Sequence, residues 1–285
     1  MTTPVPSPNA TRSSTAVPAP RAEQSEIRQS EIHDNGTSQP DQQALQHALA
    51  GLTAVRRAQA RVDEIVSALD EGTAHGPSLL PGWTRRHVIS HLARNADGLV
   101  NLLIWARTGI EHPMYPSAAD RDADIEEGSR RLLQIIQEDL GAASTRFFTA
   151  ADKLPATAWS NTVSHRTANA LPAAVIPWLR LTELLVHTVD LDLGVTLDET
   201  VTLAGETIGT VLTSVADKYA GRADVPSVTL EITMPTGPSL TITLGNPDDA
   251  TAHLTGSAAA ALGWLTGRDN GSGLSGEVPA LPAWL

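Results

Sequence analysis

Apolar residues recur at helical spacing through the first part of the patterned chain and at strand spacing near its end, so no single uniform architecture can accommodate both. Leu45, Leu49, Leu52, Val55, Val62, Ile65 and Leu69 keep to one helical face, which predicts a helix from about Pro40 to Ala74. LLPGW interrupts it. Thr84 can cap a second helix running to about Thr108, where Gly109 stops it. Ser117 opens a third long helix that ends near Lys153 and Pro155. Pro177, suited to a first helical turn, opens a fourth that ends around Leu193 and Gly194. Four long helices with short to moderate connections imply a bundle.

The pattern then changes. Asp198 is expected to cap a helix containing Ile208, Val211, Leu212 and Val215. Val228, Leu230, Ile232 and Met234 alternate with polar residues, as do Leu240, Ile242 and Leu244. The turn PTGP between these two runs predicts a hairpin. ATAHL adds a further strand, and residues 256–268 form a closing helix ended by Gly267. The expected organisation is therefore a helical bundle over residues 41–195 and a small α+β domain over 196–285. Residues 1–40 are rich in Pro, Ser, Thr, Asn and Gln and carry few large apolar side chains. Such a stretch buries too little to offset its ordering entropy, so it is expected to be a disordered tail.

Composition removes several function classes. The formal net charge of −12 disfavours nucleic-acid binding, and it means that an anionic substrate needs local arginines. An aromatic content of 4 % is too low for a base-stacking platform, and the six tryptophans are expected to be core and interface anchors. No stretch approaches the ~18 uninterrupted apolar residues of a membrane span, and the start lacks the features of a signal peptide. With no cysteine there is no disulfide framework, so a cytoplasmic protein is expected. The same absence rules out a thiolate metal site, and any thiol chemistry needs a borrowed thiol. A Ser-His-Asp triad has no G-x-S-x-G elbow to stand on.

Two separate stretches could bring metal ligands together. In PWLRLTELLVHTVDL, Glu183 and His187 stand four residues apart, about 40° from each other around a helix of 3.6 residues per turn. In PGWTRRHVISHLARNADGL, His87 and His91 have the same separation, and either could add the third donor. Three such groups with an open position make a catalytic rather than a structural zinc site. The competing reading of Glu183 and His187 is an ordinary ion pair one turn apart. Arg180 is close enough in sequence to support a ligand or contact an anion. His112, His165 and His253 have no partner at useful spacing and are read as structural.

The stretch LLPGWTRRHVISHLARNADGLVNLLIWARTGIEHPMYPSAADRDADIEEGSRR resembles the mycothiol-dependent maleylpyruvate isomerase family, within the DinB-like superfamily. PWLRLTELLVHTVDLDLG is similar to its second motif, and LTGR with LPALPAWL to its C-terminal region. The resemblance implies a DinB-like four-helix bundle followed by an α+β domain similar to sterol-carrier-protein folds. It implies that His91, Glu183 and His187 hold zinc or another divalent metal, with His87 only a neighbour, and that Arg268 takes part in catalysis. It also implies mycothiol as cofactor and an anionic small-molecule substrate, isomerised from maleylpyruvate to fumarylpyruvate in gentisate degradation. Thiolate addition, bond rotation and elimination would achieve that, and a nearby dication would favour the thiolate. The alternatives are a DinB-like mycothiol S-transferase acting on another electrophile, and a non-catalytic metal-binding module.

Overall fold

The computed structural model describes residues 38–165, 170–249 and 252–284; most of the expected N-terminal tail lies outside them. The first helix, α1 (Gln39–Ser67), starts where Ser38 accepts the backbone N–H of Asp41, with Pro40 in the first turn. The helix expected to reach Ala74 instead stops at Ser67, and a separate short α2 (Glu71–His75) begins at Asp70, whose carboxylate caps Thr73. Helix α3 (Arg85–Thr108) begins at Thr84 and ends at Gly109, whose φ of 70° is the left-handed conformation that glycine adopts freely.

The third expected helix is two, α4 (Ala118–Ser129) and α5 (Leu133–Asp152). Arg130, Arg131 and Leu132 all favour helix, so nothing local announces the break. Tertiary contacts make it. Buried Arg86 donates to the Arg131 carbonyl at 2.9 Å and pairs with Glu71, and Glu71 in turn accepts the first backbone N–H of α5, that of Leu133, at 2.9 Å. The break lets α4 turn away from the line of α5 and lie across α3.

Helix α6 (Ile176–Asp190) carries Pro177 in its first turn, and all 15 of its residues are buried. It stops a few residues short of the expected Gly194. The main packing partners are α3 with α5 and α1 with α6. At the α1–α6 crossing Gly51 has no room for a side chain: a Cβ there would lie 2.9 Å from the Pro177 Cβ and 3.0 Å from the Trp178 ring. A hairpin of two short strands, β1 (Thr162–Ser164) and β2 (Ala170–Pro172), precedes α6 and was not expected from the sequence.

After α6, the expected single helix is again two, α7 (Leu197–Ala204) and α8 (Ile208–Ala216), joined by a 3₁₀ turn. Thr196, not Asp198, is the cap: its hydroxyl accepts from the Glu199 backbone, and the Glu199 carboxylate reaches back to the Thr196 N–H at 2.7 Å. Strands β3 (Val228–Thr233) and β4 (Leu240–Leu244) form the expected antiparallel hairpin, with Leu230 opposite Ile242. Strand β5 (Ala252–Ser257) lies parallel to β3, helix α9 (Ala258–Thr266) follows and ends at Gly267, and β6 (Leu274–Ser275) completes the order β4-β3-β5-β6. Val228, Leu230, Ile232 and Leu254 are buried beneath α8 and α9. The fold is thus mostly helical with small sheets. Helices α7 and α8 contact α6, and α7 also contacts α1, so one apolar core runs through both the helical and the sheet-bearing parts. Among the described residues no helix is long and apolar enough to cross a membrane.

Candidate metal centre

His91 lies two turns into α3, while Glu183 and His187 lie one turn apart on α6. Packing of α3 against α6 brings all three together and buries them. His91 Nε2 is 2.9 Å from Glu183 Oε2 and 3.0 Å from His187 Nε2, and the last two atoms are 3.2 Å apart. Among the described residues this is the one His/Cys/Asp/Glu group that converges in this way. Tetrahedral ligands on bonds of about 2.1 Å stand roughly 3.4 Å apart, so the triangle is slightly tight but has the right shape for one face of such a site. The donor set, two imidazoles and a carboxylate, suits zinc and its divalent neighbours.

The other histidine of the pair has a different task. His87 Nδ1 accepts the Thr84 backbone N–H at 3.1 Å, closing the first turn of α3, and its Nε2 meets Glu126 and Ser129, each at 3.1 Å. It takes no part in the triangle. Arg180 is fully buried and donates to the Leu92 carbonyl, Asn95 and Gln59. It ties α6 to α3 and α1 and is not placed for an anion from solvent. Burial lowers its pKa to about 10, against the pull of Glu183.

Asp190 is the residue that sequence reading missed. It is fully buried at the end of α6, and its Oδ2 accepts from His187 Nδ1 at 2.7 Å. Arg268, just beyond α9, grips the same carboxylate at 2.6 and 3.1 Å. A chain Arg268–Asp190–His187 therefore holds a proton on His187 Nδ1 and aims Nε2 at Glu183 and His91. The i, i+3 spacing of His187 and Asp190 in HTVD was the available signal.

Electrostatics follow the same contacts. Burial, reinforced by the charge of His187, lowers the His91 pKa to about 4, so this ring is neutral near pH 7. Burial would raise Glu183, but hydrogen bonds with His187 and His91 hold it well below the usual carboxylate range. Burial opposes a charge on His187, yet its bonds to Asp190 and Glu183 prevail and raise its pKa. Asp190 is likewise lowered against burial by His187 and Arg268.

A cleft of about 450 Å³ opens onto the two histidines, lined also by Leu80, Trp83, Arg121, Arg268 and Trp284. The Trp83 ring lies tilted beside His91, with centroids 5.6 Å apart, and the Arg268 guanidinium lies 5.6 Å from the Trp284 ring. These two tryptophans therefore face the site, whereas the sequence suggested only anchoring roles.

Fold and site together define a mostly helical protein with a buried His–Glu–His candidate metal centre beneath an open cleft. The family model described as the mycothiol maleylpyruvate isomerase N-terminal domain matches residues 55–192, a span that contains all three triangle residues and belongs to that family. A solved structure described as the mycothiol-dependent maleylpyruvate isomerase is similar at 28 % identity and a TM-score of 0.72, over 83 % of this chain and 97 % of that one. A histidine-to-alanine mutant of that description is similar at 27 % identity and a TM-score of 0.69, with the same coverage. No curated protein matches the chain significantly.

Proposed function

We propose that this protein is a metal- and mycothiol-dependent isomerase that converts maleylpyruvate to fumarylpyruvate. The observation that carries the reading is the convergence of His91, Glu183 and His187 at the base of a cleft, within the part of the chain that belongs to the family. The solved structures similar to this chain carry that activity in their descriptions. His91, Glu183 and His187 would hold one divalent ion, most simply zinc. When bound, the ion and the thiol together would supply a nucleophile that is thiolate near neutral pH and adds reversibly to a conjugated double bond.

The chain's own residues prepare the site. With no cysteine, the protein has no competing sulfur nucleophile. Asp190 keeps the proton of His187 on Nδ1 and so keeps Nε2 available as a donor atom. Arg268 holds Asp190 and presents its remaining N–H groups at the cleft, which is the role in catalysis we assign to it. Trp83 and Trp284 flank the triad with aromatic surface that limits water at the base of the cleft. Residues 41–195 are assigned to the DinB-like type of bundle, and 196–285 to an α+β domain of the sterol-carrier type. The parallel β3–β5 pair flanked by α9 supports the second assignment. A small anionic substrate in the cytoplasm, with neither nucleic acid nor membrane as partner, completes the reading.

The test is metal analysis of the purified protein followed by turnover of maleylpyruvate with and without mycothiol. Stoichiometric metal and thiol-dependent isomerisation are expected. Isomerisation at full rate by thiol-free protein would refute the thiol mechanism.

A further inference from the structure

Two guanidinium groups line the cleft, and they are bonded very differently. Arg268 is anchored to the protein at all three nitrogens, though two N–H groups remain: Nε and Nη2 hold Asp190, and Nη1 donates to the Thr266 carbonyl at 2.7 Å. Arg121, on α4, is not. Its Nη1 meets Asp122 at 2.6 Å, but the Asp122 side chain is 66 % exposed, and such pairs are screened and weak. Its Nη2 lies 3.3 Å from His91 Nδ1, a long contact with a neutral acceptor. Its Nε is buried with no partner. A buried N–H left without an acceptor is destabilising, so the present seat of Arg121 leaves its donors poorly used.

The contact with His91 carries a second implication. A guanidinium only donates, so His91 Nδ1 accepts from it and the ring proton lies on Nε2, inside the triangle. An imidazole that ligates through Nε2 carries its proton on Nδ1 instead. That proton would face the Arg121 N–H, donor against donor. The Arg121–His91 contact and ligation by His91 therefore exclude each other.

We propose that Arg121 is the anion-gripping residue of the cleft: it leaves His91 when the metal binds and closes on a carboxylate of the substrate. The inference rests on the metal reading of the triad given under the proposed function. Charge supports the choice. Arg268 is offset by buried Asp190, whereas Arg121 is offset only by an exposed carboxylate that a ligand can replace. The planar guanidinium fork offers two parallel N–H groups to a carboxylate, which an ammonium cannot do. A small dicarboxylate, with one end at the triad and the other on Arg121, is the ligand class that fits.

Calorimetry on the full chain tests this, first with zinc and then with maleate added to the zinc-loaded protein without thiol. Arg121→Met should bind zinc at least as tightly as wild type, because a donor opposing Nδ1–H is gone. The same variant should bind maleate about tenfold or more weakly, the loss of a charge-assisted pair. Its KM for maleylpyruvate should rise more than its kcat falls. Arg121→Lys, which keeps the charge without the fork, should fall between the two and decides the matter if the methionine variant does not fold. Unchanged maleate affinity in a folded variant would overturn the proposal. So would loss of zinc with circular dichroism unchanged, since Arg121 would then be a support for His91. Maleate binding that depends on Arg121 in a protein that does not isomerise maleylpyruvate would keep the grip and reject the reaction.

Discussion

Replacing Asp190 by asparagine should weaken metal binding without changing any ligand. In the native arrangement Oδ2 accepts from both His187 Nδ1 and Arg268 Nη2, and Oδ1 accepts from Arg268 Nε. An asparagine of the same shape has one oxygen to offer. If that oxygen takes the Oδ2 place, the amide NH₂ confronts Arg268 Nε. If the NH₂ takes it, two donors face it and His187 is driven to the tautomer that protonates Nε2. Either way Arg268 loses its negative partner. Loss of such a support typically costs ten- to a hundredfold in metal affinity, roughly 1.4–2.7 kcal/mol. Breaking a buried pair costs the metal-free fold about 3–5 kcal/mol, and the 14 % exposure of the Arg268 side chain places the loss near the lower end. Competition for zinc against a chromophoric chelator at neutral pH, with thermal melts of the metal-free protein, measures both quantities. A folded Asp190→Asn protein that holds zinc within about twofold of wild type would show that Asp190 does not orient the ligand, since the smallest loss expected is tenfold.

His91→Ala, Glu183→Ala and His187→Ala should each abolish stoichiometric metal, while His87→Ala should retain it and lose about 1 kcal/mol from the first turn of α3; metal analysis beside chemical denaturation separates the two, and metal loss in the His87 variant would contradict the assignment. Gly51→Ala should cost about 1–3 kcal/mol, because its methyl would meet Pro177 and Trp178 across the α1–α6 crossing; a neutral result in urea denaturation would mean the two helices part easily. Tyr219 is buried, donates to the Leu265 carbonyl at 2.7 Å, and has a pKa raised by burial to about 12. Its contribution is present in full below the unfolded value of about 10 and lost as pH rises toward 12. Melts across that window should fall more steeply for wild type than for Tyr219→Phe, and parallel curves would remove the phenol from the account.

The approach of Glu183 to His187 was legible because helical spacing alone puts both on one side of α6. Choosing between His87 and His91 was not possible from spacing, since both project from the same region of α3. Only the fold shows that His87 is spent on Thr84, Glu126 and Ser129. Helix ends fixed by local chemistry, such as Gly109 and Gly267, could be read directly. The break at Arg130–Leu132 could not, because Glu71 and Arg86, distant in sequence, create it. Asp190 was legible only in part, through its i, i+3 spacing to His187. Its importance lies in Arg268, 78 residues later, and no periodic pattern couples the two.

The three converging donors stand on α3 and α6, at positions where both helices are buried, and their geometry is fixed by the core itself. The walls above them come from other pieces: the turn carrying Leu80 and Trp83, the short helix bearing Arg121, and the last residues around Trp284. Floor and rim are thus built from separate stretches of chain and can change at different rates. A substitution on the floor threatens folding and chemistry together, whereas one on the rim alters only what enters. A descendant that kept α3 and α6 and rewrote those three pieces would keep the converging donors and place them beneath a different cleft.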